Sequence, residues 1–178
     1  MELAYLTFDL GTSGVKAILF SDSGVIIDKE FVSYKTYYPS PGYAEQIPDE
    51  WYSSICIATQ VLAQRTGCKN SILAISFSGQ TMGCVCVNKA GHALRNALIH
   101  CDQRATKEAL FLSAVIGEKR LYTLTGTKLS PSYPLEKLMW IKNNELDVYN
   151  HTYKIIGPKD YIVARICGRI ATEFTEAS

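Results

Sequence analysis

Asp9, the Gly11-Thr12-Ser13-Gly14 turn and Lys16 are the residues of this 178-residue chain whose types and spacing bear most directly on chemistry. Consecutive backbone N–H groups in a Gly/Ser/Thr turn form a concave anion site, and the hydroxyls of Thr12 and Ser13 add donors for phosphate oxygens. A carboxylate at Asp9 would be repelled by phosphate unless a cation lay between them. Mg2+, held through one carboxylate, waters and substrate phosphates, resolves that conflict, and Lys16 offers a second positive charge. The turn is not a P-loop: the Gly-Lys-Ser/Thr ending is missing, and the residues that follow have the pattern of a strand rather than a helix. Residue types alone leave an ordinary Gly-rich hairpin with a surface lysine as the plainer alternative.

The elements that position these groups follow from the hydrophobic pattern. Leu6 to Leu10 and Val15 to Phe20 read as two strands joined by the turn. Ser21-Asp22-Ser23-Gly24 is a second turn, so Glu2 to about Val32 is expected to form a three-stranded antiparallel meander. Residues 39–48 turn polar and proline-rich and read as a surface loop. Pro48, with Asp49 and Glu50 behind it, predicts a helix start. Trp51, Ile55, Ala58 and Leu62 then mark its buried face, and Gly67 its end. Ser71 to Ser78 reads as a buried strand running into Gly79-Gln80-Thr81, and Cys84 to Asn88 as another. Further helices are expected from Asp102, as N-cap, to Val115, from Pro134 to Ile141, and from Pro158 to Gly168. Strands mixed with helices in this order predict a layered α/β or α+β domain, not a bundle or a sandwich.

Composition bounds the function. With 18 Lys+Arg against 17 Asp+Glu the net charge is +1, which argues against a nucleic-acid partner. No apolar run approaches the ~20 residues of a membrane span, and the chain opens at Glu2 without a signal-peptide pattern. Six cysteines show no metal-binding spacing, and Cys84 and Cys86 fall on one strand face as small hydrophobes, so a reducing, cytoplasmic setting is expected.

The stretch Asp9-Leu10-Gly11-Thr12-Ser13-Gly14-Val15-Lys16 resembles the phosphate hairpin of the FGGY carbohydrate kinases. Further segments resemble the same family in the same order: Ser78-Gly79-Gln80-Thr81-Met82-Gly83, Asp102-Gln103-Arg104, the run from Ser132 to Asn144, and Gly157-Pro158-Lys159-Asp160-Tyr161. The likeness is to xylulokinases in particular and covers essentially the whole chain. It implies an actin-like, ribonuclease H-like ATPase fold: a mixed sheet opening with the antiparallel meander, with helices packed on it. It also implies transfer of a phosphoryl group from ATP, with Mg2+, to a hydroxyl of a sugar such as xylulose or a related polyol.

Site residues carry over by position. Asp9 is expected to support catalysis and to hold Mg2+, through water or directly. Gly11, Thr12, Ser13 and Lys16 are expected at the nucleotide phosphates, and Gln80, Thr81, Met82, Asp102 and Arg104 at the sugar. A carboxylate accepts from sugar hydroxyls and a guanidinium donates to them; for Asp102 and Arg104 a helix cap with a surface arginine is the alternative. Departures are informative. Xylulokinases usually have histidine at position 82, and glycerol kinases have an Arg-Glu pair at 81–82 and tyrosine at 132, so a glycerol site is not inherited. Family members are more than twice as long. The chain is therefore expected to be the N-terminal, sugar-binding-side domain of such a kinase. The adenine pocket and the proton-accepting aspartate would lie beyond Ser178. A stand-alone sugar-binding or regulatory domain is the alternative. The resemblance implies a small-molecule partner, no nucleic acid and no membrane, and allows a homodimer.

Overall fold

A computed structural model describes residues 3–68 and 71–173. In chain order the elements are β1 (Ala4–Leu10), β2 (Gly14–Ser21), β3 (Ile26–Ser33), β4 (Glu45–Gln46), α1 (Pro48–Thr66), β5 (Ile72–Gly79), β6 (Val85–Val87), β7 (Ala97–Leu98), α2 (Thr106–Val115), α3 (Glu118–Thr125), α4 (Pro134–Asn144), α5 (Leu146–His151), β8 (Lys154–Ile156) and α6 (Pro158–Cys167). They fall into two compact units, one of Met1–Thr36 with Asp49–Gln80, the other of Tyr37–Pro48 with Thr81–Ser178. Glu2 and Ser178 lie outside the described residues.

The first unit is built on a four-stranded sheet of order β3-β2-β1-β5. β1 and β2 are antiparallel, as are β2 and β3, while β5 lies parallel to β1. This is the expected mixed sheet with its opening meander. Two-residue periodicity sends Ala4, Leu6, Phe8 and Leu10 inward together with Val15, Ala17 and Leu19, and Phe8 stacks on Phe77 of β5 with ring centroids 5.3 Å apart. α1 begins at Pro48 and buries Trp51, Ile55, Ala58 and Leu62, the stripe expected from their spacing. Its last turn is tied to β3: Arg65 reaches Asp28 at 2.9 Å and Glu30 at 3.1 Å, and donates to the Lys29 carbonyl at 2.8 Å. Gly67 closes the helix at φ +67° with its N–H on the Ala63 carbonyl.

The second unit gathers α2 to α6 with two short ribbons, β4 with β7 and β6 with β8. Cys84, Cys86, Leu98 and Ile141 form a buried cluster backed by Trp140, Val148 and Tyr149. The hydrogen bond between the Cys84 and Cys86 thiols, reinforced by burial, pushes the Cys84 thiol up, which keeps it an inert core residue.

Three expectations are corrected here. β5, read as a buried strand, lies at the edge of the sheet with Leu73 and Ile75 exposed, because β1 covers it on one side only. The stretch read as a surface loop contains β4, whose Glu45 and Gln46 are buried and pair with Leu98 and Ala97. Asp102 is not a helix N-cap: α2 starts at Thr106, after Ala105. The Asp102 carboxylate faces back into the unit, because the Ala44 N–H and the Arg104 guanidinium both claim it.

Candidate functional site

At the tip of the β1–β2 hairpin, Gly11 N–H bonds the Gly14 carbonyl at 3.1 Å, leaving Thr12 and Ser13 exposed. Asp9 and Lys16, both exposed, sit directly opposite each other in the antiparallel register, and Asp9 has Ser78 as its neighbour on β5. Carboxylate, ammonium and two hydroxyls thus lie at one end of the sheet. Directly opposed residues hold their Cβ atoms within about 5.5 Å.

Gly14 is required for this geometry. A Cβ there would stand 2.5 Å from Phe31 Cζ and 2.6 Å from the Val32 carbonyl oxygen. Tyr34, which the sequence did not single out, braces the turn from the other side. Its N–H bonds the Ser13 carbonyl at 3.3 Å, and its hydroxyl donates to the Gly11 carbonyl. Burial, with the Asp9 charge adding to it, pushes the Tyr34 phenol up, so it stays a neutral donor. Gly79 ends β5 beside Leu10, and Gln80 N–H bonds the Leu10 carbonyl at 2.8 Å. Gly79-Gln80 therefore emerges at the same end of the sheet as the turn. The donor set fits a phosphate group with its divalent cation: the hydroxyls and Lys16 suit the anion, and Asp9 suits the cation.

In the second unit, Thr81 and Met82 line a pocket of about 550 Å3 together with Gly83, Tyr133, Glu136 and Asp160. Met82 has φ +58°, the one non-glycine residue in the left-handed region among the described residues. Gly83 admits no side chain, since a Cβ would lie 2.5 Å from Pro158 Cγ at the start of α6. Glu136 and Asp160 are buried, and each keeps one carboxylate oxygen without a hydrogen-bond partner. Burial pushes the Glu136 carboxyl up. Sequence reasoning missed both residues, because a carboxylate on a helix reads as solvent-facing.

Asp102 and Arg104, expected at the sugar, have buried side chains bonded to each other. Asp102 is fully buried, and its Oδ2 accepts from Ala44 N–H at 2.6 Å. Arg104 Nε donates to both Asp102 oxygens at 3.0 Å, and its Nη2 lies 2.8 Å from Asp102 and 2.8 Å from Glu45. The guanidinium stacks over Tyr43 at 4.0 Å and over Trp140 at 4.8 Å. Arg95 completes the network, reaching Glu45 at 2.6 Å and also pairing with Glu145. His100, two residues before Asp102, is half-buried. Among the described residues no group of three or more His, Cys, Asp or Glu is arranged to hold a metal ion, and no helix is long and apolar enough to cross a membrane.

Residues 4–178 match the N-terminal domain of the FGGY family of carbohydrate kinases. The chain belongs to this family. Among its FGGY relatives, the xylulose kinase of Staphylococcus xylosus is 34% identical over 177 residues, which is 99% of this chain and 36% of that protein. Among solved structures, ligand-bound xylulose kinase from Lactobacillus acidophilus superposes with a TM-score of 0.91 at 26% identity, covering 98% of this chain and 35% of that one. Gluconate kinase from the same organism gives 0.93 at 25% identity, covering 99% and 36%. The FGGY chain described here thus spans about a third of the length of these relatives, and its fold is that of the actin-like sugar kinases.

Proposed function

We propose that this chain is the N-terminal, sugar-binding-side domain of a cytoplasmic kinase that phosphorylates a small sugar with ATP and Mg2+. The observation that carries the reading is the hairpin end of the sheet, where Asp9 opposes Lys16 in register beside the exposed Thr12 and Ser13. When bound, MgATP supplies the transferable phosphoryl group and neutralises much of its charge. Gly11 lets the chain turn closely around the phosphates, and the Thr12 and Ser13 hydroxyls donate to their oxygens. Lys16 offsets the remaining negative charge, and Asp9 holds the cation, directly or through water. Such a reaction depends mainly on positioning and electrostatics, so a turn braced by Tyr34 is worth more than a mobile one. The carboxylate that takes the sugar's proton comes from the second domain of the longer protein, as the resemblance implies.

On the sugar side, Gln80, Thr81 and Met82 are assigned to substrate. Asp102 and Arg104, buried and mutually paired, are assigned to positioning rather than contact. Glu136 and Asp160 in the lining of the pocket support a neutral ketose or polyol over a sugar acid, because an anionic ligand beside two buried carboxyl groups meets repulsion that water screens poorly. The test is sugar-stimulated ADP release by the longer protein, with a panel of xylulose, other ketoses, polyols and gluconate, and with Asp9→Ala as control. Stimulation by a neutral sugar that Asp9→Ala removes supports the reading; no stimulation by any member of the panel refutes it.

A further inference from the structure

Lys137 is fully buried in the second unit. Its Nζ donates to the Met82 carbonyl at 2.7 Å and to the Ile99 carbonyl at 2.8 Å. Met82 belongs to one segment expected at the sugar, and Ile99 lies three residues before the other, which starts at Asp102. Met82 lines the pocket at a backbone angle that non-glycine residues seldom adopt. The Ile99 carbonyl also accepts the Asp102 N–H at 3.0 Å, and so leads into the Asp102–Arg104 network. One ammonium therefore links the turn that carries Met82 to the loop that carries Asp102.

We propose that Lys137 is a positioning residue for sugar binding, holding the Met82 peptide in its left-handed conformation and in fixed register with the Asp102 loop. The inference rests on the reading of Thr81 and Met82 as sugar-facing. A left-handed residue other than glycine is strained, and persists where its surroundings over-determine it. What over-determines Met82 is on either side of it. On one side is the charged donor on its carbonyl, a stronger bond than a neutral one. On the other is the close approach of Pro158 to Gly83.

A lysine is suited to this because three donors on one compact centre can serve carbonyls from two different loops. Burying it is costly. Burial pulls the Lys137 amine down to about 8, while the nearby Asp102 charge opposes that shift. The other groups that face it are Cys84, Cys101 and Arg104, together with Glu136 on its own helix. A lysine that served only to fill space would be replaced at less cost by methionine, which is unbranched, one atom shorter and has no charge to desolvate.

The experiment compares the chain with Lys137→Met and Lys137→Arg. It reads the Met82 backbone by NMR, through its HN–Hα coupling and chemical shifts, and titrates D-xylulose by calorimetry. A thermal melt checks that each variant is folded. The expected result is that Lys137→Met loses the positive-φ signature at Met82 and binds xylulose roughly tenfold more weakly or worse, the size of one lost charge-assisted hydrogen bond. Lys137→Arg, which keeps the donors, is expected to retain more of both. Should Lys137→Met fail to fold, Lys137→Arg decides: an unchanged Met82 signature with near-normal binding supports the proposal, and a lost signature with normal binding overturns it. A folded Lys137→Met with Met82 unchanged and binding intact also overturns it. If the unaltered chain binds no xylulose while Lys137→Met still releases Met82, the sugar-facing reading is what fails, and the proposal fails with it on function though not on the tether.

Discussion

Replacing Arg104 by alanine should destabilise the protein more than any other single change in the candidate sugar region. The Arg104 side chain is 2% exposed, that of Asp102 0% and that of Glu45 11%, so solvent screens these pairs little. Removal leaves Asp102 with the Ala44 N–H and the Arg104 backbone N–H as its partners, and a buried carboxylate without its counter-ion. Breaking such a pair costs about 3–5 kcal/mol. Loss of the stack on Tyr43 and Trp140 adds roughly 0.5–2 kcal/mol. Against a typical total stability of about 5–15 kcal/mol, the variant would be marginal, and its melting temperature should drop by roughly 10 °C or more for a chain of this size. Urea unfolding at constant m-value measures the change. Removing Asp102 as well should cost much less than the sum of the single changes, because no unpaired charge then remains at that position. If Arg104→Ala costs under about 1 kcal/mol, the network behaves like a surface ion pair, and the positioning role given to Asp102 and Arg104 is wrong.

Tyr34→Phe removes the hydroxyl that bonds the Gly11 carbonyl and should cost about 1 kcal/mol, with weaker MgATP affinity in calorimetry and no change for xylulose. Gly83→Ala forces a methyl group against the Pro158 ring and should cost about 1–3 kcal/mol, visible as a lower urea midpoint and weaker xylulose binding. Glu136 has a raised folded-state value, so its protonated form is favoured by folding. Its contribution is complete below the unfolded value near 4.5 and is lost as pH rises through the folded value. Glu136→Gln should therefore unfold at the same temperature as the parent at acid pH and at a higher one at neutral pH. The 178 residues alone should show no useful sugar-dependent ATP turnover, since one side of a site does not fix in-line geometry or exclude water; turnover abolished by Asp9→Ala would overturn that expectation.

The sheet was readable because its signals are local. Gly11–Gly14 and Ser21–Gly24 punctuate alternating strands, and the stripe Trp51, Ile55, Ala58, Leu62 has helical spacing. β4 and β7 were not readable: two-residue strands carry no periodicity, and Glu45 between polar neighbours looks like a loop. What buries Glu45 is a pair of arginines some 50 residues on. Asp102 shows the same limit, since the residue type that caps a helix also anchors an ion pair, and only the fold, by bringing Ala44 to it across 58 positions, separates the two. Lys137 sits in a segment whose family likeness was plain, yet nothing local distinguishes a buried lysine from a solvated one. Tyr34 went unseen because its partners, Gly11 and Ser13, lie more than 20 residues earlier on a different strand connection.

The most direct test of the central claim is amide chemical-shift mapping of the 15N-labelled chain with MgADP and with D-xylulose, separately. The account predicts that MgADP shifts Gly11, Thr12, Ser13 and Lys16, whereas xylulose shifts Gln80, Thr81, Met82 and Gly83. Shifts for both ligands confined to other residues, or no response to either, would contradict it.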